Sequence, residues 1–117
     1  MNAKVLKEVK RAYNEETFNL EFRASEPVNK YDAVKIMAKA LGCKPDEDGY
    51  NDFRPELLNR LPEDARVWLA REYSVCVYFY TETELPESFQ DTMRADEFGL
   101  TDSGDGVLVP EYRLWWD

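Results

Sequence analysis

The period of the apolar positions changes several times along the chain, and each change marks an element. Val5, Leu6, Val9, Ala12 and Tyr13 recur every three or four residues while Lys4, Lys7, Glu8, Lys10 and Arg11 fill the other side. This predicts an amphipathic helix over residues 3–14, lying against a sheet. From Thr17 to Ala24 the period becomes two, with Phe18, Leu20, Phe22 and Ala24 on one side and Asn19, Glu21 and Arg23 on the other, as in a half-buried antiparallel strand. The next helix is delimited at both ends: Asn29 can cap it with Asp32 at the third position, Val34, Met37, Ala38 and Leu41 form its stripe, and Gly42 is placed to end it. Cys43 to Phe53 reads as an acidic loop, and Pro55 opens a short helix that runs to about Leu61.

Two readings compete in the middle of the chain. Pro62-Glu63-Asp64-Ala65 is a good helix opening, with proline first and carboxylates beside the positive end of the dipole, so the pattern leans to a helix through Arg71; a strand from Arg66 is the rival. Ser74 to Thr81, rich in β-branched and aromatic residues, predicts a central strand that is apolar on both faces. Pro86 to Arg94 predicts a short helix with Phe89 and Met93 one turn apart, followed by a loop that closes with Asp102-Ser103-Gly104-Asp105-Gly106. The last strand, Val107 to Trp116, places Leu108, Tyr112, Leu114 and Trp116 on one face and Val107, Val109, Glu111, Arg113 and Trp115 on the other. Pro110, which has no amide hydrogen for a ladder, marks it as an edge strand. Together these elements make an α+β fold: a small, mostly antiparallel sheet with helices packed on one face.

Composition narrows the class. With 117 residues, 44% apolar and 14% aromatic, the chain is expected to fold throughout as a single domain over residues 1–117. No apolar run reaches signal-peptide or membrane-spanning length, which predicts a cytoplasmic protein. Cys43 and Cys76 are far apart without Cys-x-x-Cys spacing and fit free, small, buried thiols in a reducing compartment.

The net charge of −9 is unevenly distributed. Residues 1–44 hold nine Lys or Arg against six Asp or Glu, whereas residues 45–117 hold six against eighteen. The densest acidic stretch carries Glu82, Glu84, Glu87, Asp91, Asp96, Glu97, Asp102 and Asp105 against Arg94 alone. Such a surface repels phosphate, so direct binding to nucleic acid or an anionic membrane is disfavoured, the N-terminal lysines apart.

Familiar chemistry is hard to place. The chain has no histidine, which removes Ser-His-Asp and Cys-His catalysis and histidine-ligated metals together. Asp46 to Asp52 resembles a calcium loop, but its glycine is fourth rather than sixth and its twelfth position is Leu57; the loop from Asp102 ends equally badly, on Arg113. No Gly-rich or Walker-type loop offers a phosphate cradle. Neither a cofactor nor a metal is therefore expected, nor is the chain expected to be an enzyme. A small carboxylate-using enzyme is the last of the readings.

The acidic stretch suggests binding instead. With Glu82 and Glu84 at the end of the central strand, carboxylates two residues apart stand about 6.7 Å apart on one face; Glu87 and Asp91, one helical turn apart, are separated by about 6 Å. Phosphates along a DNA strand are spaced on a similar scale, so such rows can meet the Arg and Lys side chains that grip DNA. In size, sign of charge and lack of catalytic apparatus the chain resembles the small acidic DNA-mimic proteins of bacteria and phages. The resemblance implies a partner with a basic DNA-binding surface, such as a histone-like nucleoid protein, a repressor or a defence nuclease. The positive N-terminal part favours a one-sided acidic face over all-round imitation of a duplex. The alternative is an immunity protein or antitoxin that inhibits a basic nuclease toxin, with Trp115 and Tyr80 or Tyr50 as aromatic anchors. Either would act as a monomer or small homo-oligomer.

Overall fold

A computed structural model describes residues 1–14, 20–101 and 110–117. Both expected helices form: α1 (Ala3–Asn14) buries Val5 and Val9 of its expected stripe and leaves Leu6, Ala12 and Tyr13 half-buried, and α2 (Lys30–Leu41) buries Val34, Met37 and Ala38 as expected but also Ala33, Ile36 and Ala40, with Leu41 half-buried. The delimiters of α2 act as the sequence implies. The Asn29 side chain accepts the Asp32 amide at 2.8 Å, and Gly42, at φ 66°, turns its amide back to the last carbonyls. A 3₁₀ helix over Pro55–Arg60 follows and packs beside α2, burying Leu57 and Leu58.

Five strands form one antiparallel sheet in the order β1-β2-β3-β5-β4: β1 (Glu21–Arg23), β2 (Arg66–Glu72), β3 (Ser74–Tyr80), β4 (Glu97–Leu100) and β5 (Glu111–Trp116). The α+β architecture with a small antiparallel sheet is as expected, and β3 is its central strand. Of the strand expected over 17–24, residues 17–19 lie outside the described residues and the ladder covers Glu21–Arg23.

Three expectations are corrected. The helix expected from Pro62 to Arg71 is instead a turn followed by β2, the rival reading. The Ala65 amide closes the turn on Pro62 O at 3.0 Å, and Asp64, rather than sitting at a helix start, accepts bonds from the far end of β3. Val67 and Leu69 then alternate with Arg66, Trp68 and Ala70, and the pairing Trp68↔Tyr78 and Leu69↔Val77 outweighs the local helix signal. Second, β5 is interior, between β3 and β4. Pro110 precedes the ladder, which begins at Glu111, and so costs it no hydrogen bond. Third, Glu97–Leu100, expected as loop, pairs with β5 as an edge strand. The turn at 102–106 and the residues 107–109 of the last strand lie outside the described residues.

One side of the sheet faces the helices. Val67, Leu69, Val75, Val77, Phe79, Tyr112, Leu114 and Trp116 join the helical residues in one core. Trp116 meets Phe53 edge-on at 4.8 Å and donates its indole N–H to Met93 O. Arg71 also lies on this side, donating to Ala12 O in the last turn of α1, where the negative end of the helix dipole favours a cation. The opposite side presents Arg23, Trp68, Glu72, Cys76, Tyr78, Tyr80, Glu111, Arg113 and Trp115. No helix among the described residues is long and apolar enough to cross a membrane.

Candidate partner-binding surface

The acidic stretch begins where β3 leaves the ladder. Asp64 accepts from Thr81 Oγ1 at 2.5 Å, from the Glu82 amide at 2.7 Å and from Thr83 Oγ1 at 3.4 Å, and these bonds hold its carboxyl below the usual aspartate range. The same bonds pull the chain out of strand geometry after Tyr80. Glu82 and Glu84 therefore do not stand on one strand face, contrary to the expected spacing. Helix α3 (Phe89–Thr92) is shorter than expected, with Phe89 and Met93 buried as its anchors, and Glu87 precedes it rather than sitting one turn before Asp91 within it. Glu82, Glu84, Glu87 and Asp91 are all exposed, and none has an ion-pair partner among the described residues.

The other expected members are committed elsewhere or lie outside the described residues. Asp96 accepts the Asp117 amide at 2.8 Å, and Glu97 is bridged by Arg113 at 2.8 Å. Asp102 and Asp105 lie outside the described residues. Trp115 faces away from the helices as expected, but it is half-buried on an interior strand and its indole N–H is donated to Glu72 O at 2.8 Å, so it does not project as an anchor. Tyr80 is half-buried against Trp68, their rings 5.1 Å apart edge-on, and Tyr50 packs edge-on to Tyr13.

No protein-family model, curated protein or solved structure matches this chain.

The helix-free side of the sheet carries a network that the sequence reading did not anticipate. Arg23, on β1, crosses the small Ala70, passes over Tyr78 at 4.5 Å and Trp68 at 5.3 Å, and reaches Glu111 on β5 at 2.7 Å. Glu72 takes the Tyr78 hydroxyl at 2.7 Å, Arg113 Nε at 2.5 Å and the Cys76 thiol at 3.3 Å. Burial raises the pKa of both Glu72 and Glu111, but the donated hydrogen bonds outweigh it and leave both below the usual glutamate range. Burial also pushes the Cys76 thiol up. The only sequence signal for this network was the run of charged and aromatic residues at alternate positions off the core. Both carboxylates are held ionised by arginines, the opposite of what a general acid requires. Among the described residues no three Cys, Asp or Glu side chains gather as metal ligands.

Proposed function

We propose that the protein is an acidic protein-binding domain, a one-sided DNA mimic whose carboxylates occupy the basic DNA-binding surface of a partner. A histone-like nucleoid protein, a repressor or a defence nuclease has the required surface. One observation supports this reading above others: Glu82, Glu84, Glu87 and Asp91 stand exposed along a single connection with no cation paired to them among the described residues, whereas Glu97 beside them is paired with Arg113, which it shares with Glu72. Free carboxylates attract arginines and lysines over a distance and accelerate encounter. The two free thiols suit a cytoplasmic setting.

A low-salt pull-down from a bacterial lysate, with excess duplex DNA as competitor, tests the proposal. The wild-type protein retains a basic DNA-binding protein that duplex displaces, and E82K/E84K/E87K/D91K loses it. Retention of the same partner unchanged by the variant, or of nothing basic by the wild type, overturns the reading.

A second reading, inhibition of a basic nuclease as an immunity protein, is favoured by Leu100, which is 66% exposed beside the acidic connection. An apolar anchor of that kind would keep the complex together at salt concentrations that dissolve a charge-only one.

A further inference from the structure

The helices α1 and α2 do not roof the whole sheet. Phe53 covers the Trp116 end of β5, and over the rest of β5 and β4 the connection between β3 and β4 packs, anchored by Phe89 and Met93. An aromatic row runs outward beneath it: Phe79 stacks on Tyr112 at 5.4 Å, Tyr112 on Phe98 at 5.5 Å, and Phe98 tilts against Phe89 at 5.5 Å. The row ends at the edge strand, where Leu100 is left largely exposed. Beside it is a hollow of about 550 Å³ lined by the apolar Leu85, Phe98, Leu100 and Tyr112 together with the carboxylates Glu84 and Glu87. Its volume falls within the ~300–1,000 Å³ usual for sites that enclose a small group. Among the described residues, no lysine or arginine lines it. Two of the four exposed carboxylates of the proposed binding surface thus line the same hollow as Leu85, Phe98 and Leu100.

We infer that this hollow receives an arginine side chain of the basic partner. The inference rests on the protein-binding reading and names its anchor point. An arginine is apolar along its stem and cationic at its tip, so its stem suits Leu85 and Leu100 while its guanidinium suits Phe98, Glu84 and Glu87, all of which line the hollow. The guanidinium matches both walls, because it stacks on an aromatic face and pairs with carboxylates through its fork of N–H donors. Lysine shares the stem but is a more strongly hydrated point charge with no planar face, and so fits less well. A neutral apolar side chain would leave the two carboxylates without a partner.

The test uses the full chain and N-acetyl-arginine amide as the probe, followed by methyl NMR. Leu85 and Leu100 methyl signals shift saturably with a Kd on the order of 1 mM, as expected for so small a ligand. N-acetyl-citrulline amide, the neutral isostere, and guanidinium ion, which lacks the stem, each bind about tenfold more weakly. E84Q/E87Q weakens the arginine probe by a similar factor, and because both residues are exposed its spectrum otherwise stays that of the wild type. Equal binding of citrulline, tighter binding of N-acetyl-lysine amide, or an affinity untouched by E84Q/E87Q overturns the inference. The outcome is separate from that of the lysate experiment. A hollow that ignores arginine in a protein that still retains a DNA-displaceable partner refutes the anchor and leaves the mimic reading standing; the reverse result does the opposite.

Discussion

Arg23→Ala is the perturbation that most directly probes the helix-free side of the sheet. The Glu111 side chain is 1% exposed and is held by Arg23 at 2.7 Å and by Thr101 Oγ1 at 2.9 Å, while the Arg23 side chain is 41% exposed. Removing one partner of a fully buried ion pair costs about 3–5 kcal/mol. Here water can follow into the vacated place and Thr101 still donates, so we expect a loss of about 2–3 kcal/mol, including the lost contact of the guanidinium with Tyr78 and Trp68. That corresponds to a fall in Tm of about 8–12 °C, at about 4 °C per kcal/mol for a chain of this size. The sign with pH follows from Glu111. In the wild type its folded pKa is below the unfolded value, so the pair contributes stability above about pH 4.3 that is lost as the pH falls through the folded pKa. In the variant burial acts without the arginine and raises the folded pKa, so stability is instead lost as the pH rises through it. The difference between the two proteins is therefore largest at neutral pH and shrinks towards pH 4. Urea unfolding of wild type, Arg23→Ala, Glu111→Gln and the double variant at pH 7 and pH 4 measures it. Equal differences at both pH values, or additivity of the two substitutions within about 0.5 kcal/mol at pH 7, would refute the coupling.

Two further substitutions test local geometry. Asn29→Ala removes the acceptor for the Asp32 amide at the start of α2, and urea unfolding should show a loss of about 1 kcal/mol; no loss would mean that water or Asp32 replaces the cap. Tyr73, at φ 64° and 64% exposed, turns the β2–β3 hairpin in a conformation that costs a side-chain-bearing residue about 1–2 kcal/mol. Tyr73→Gly should therefore gain about 0.5 kcal/mol after the greater flexibility of unfolded glycine is deducted, and a less stable variant would show that the tyrosine ring contributes more than its exposure implies.

Elements were legible in the sequence where one local signal acted alone. Asn29, Asp32 and Gly42 delimit α2 without help from the rest of the chain, and the Ser74–Tyr80 run has no competing pattern. Residues 62–72 were misread because Pro62, Glu63 and Asp64 carry a true helix-start signal that pairing with β3 overrides. Strand β4 had almost no signal: it has four residues, one of them Gly99, and it exists because β5 lies beside it. The site was half legible for the same reason. Exposure of Glu82, Glu84, Glu87 and Asp91 follows from a polar run between anchors, whereas the loss of Glu97 to Arg113 depends on a strand pair that joins residues far apart in sequence. The hollow beside Leu100 is a property of tertiary packing, which no periodicity encodes.

The position of β5 has a consequence for synthesis of the protein. In a growing chain that has emerged only as far as the acidic connection, β3 has no neighbour on its second side until residues 111–116 follow. For that interval Ser74-Val75-Cys76-Val77-Tyr78-Phe79-Tyr80 is an open edge with no charge and no proline, the kind of segment that pairs with other chains. The acidic connection follows this edge directly in the sequence, so each nascent chain carries its own electrostatic repulsion against neighbours at the point where they would otherwise join.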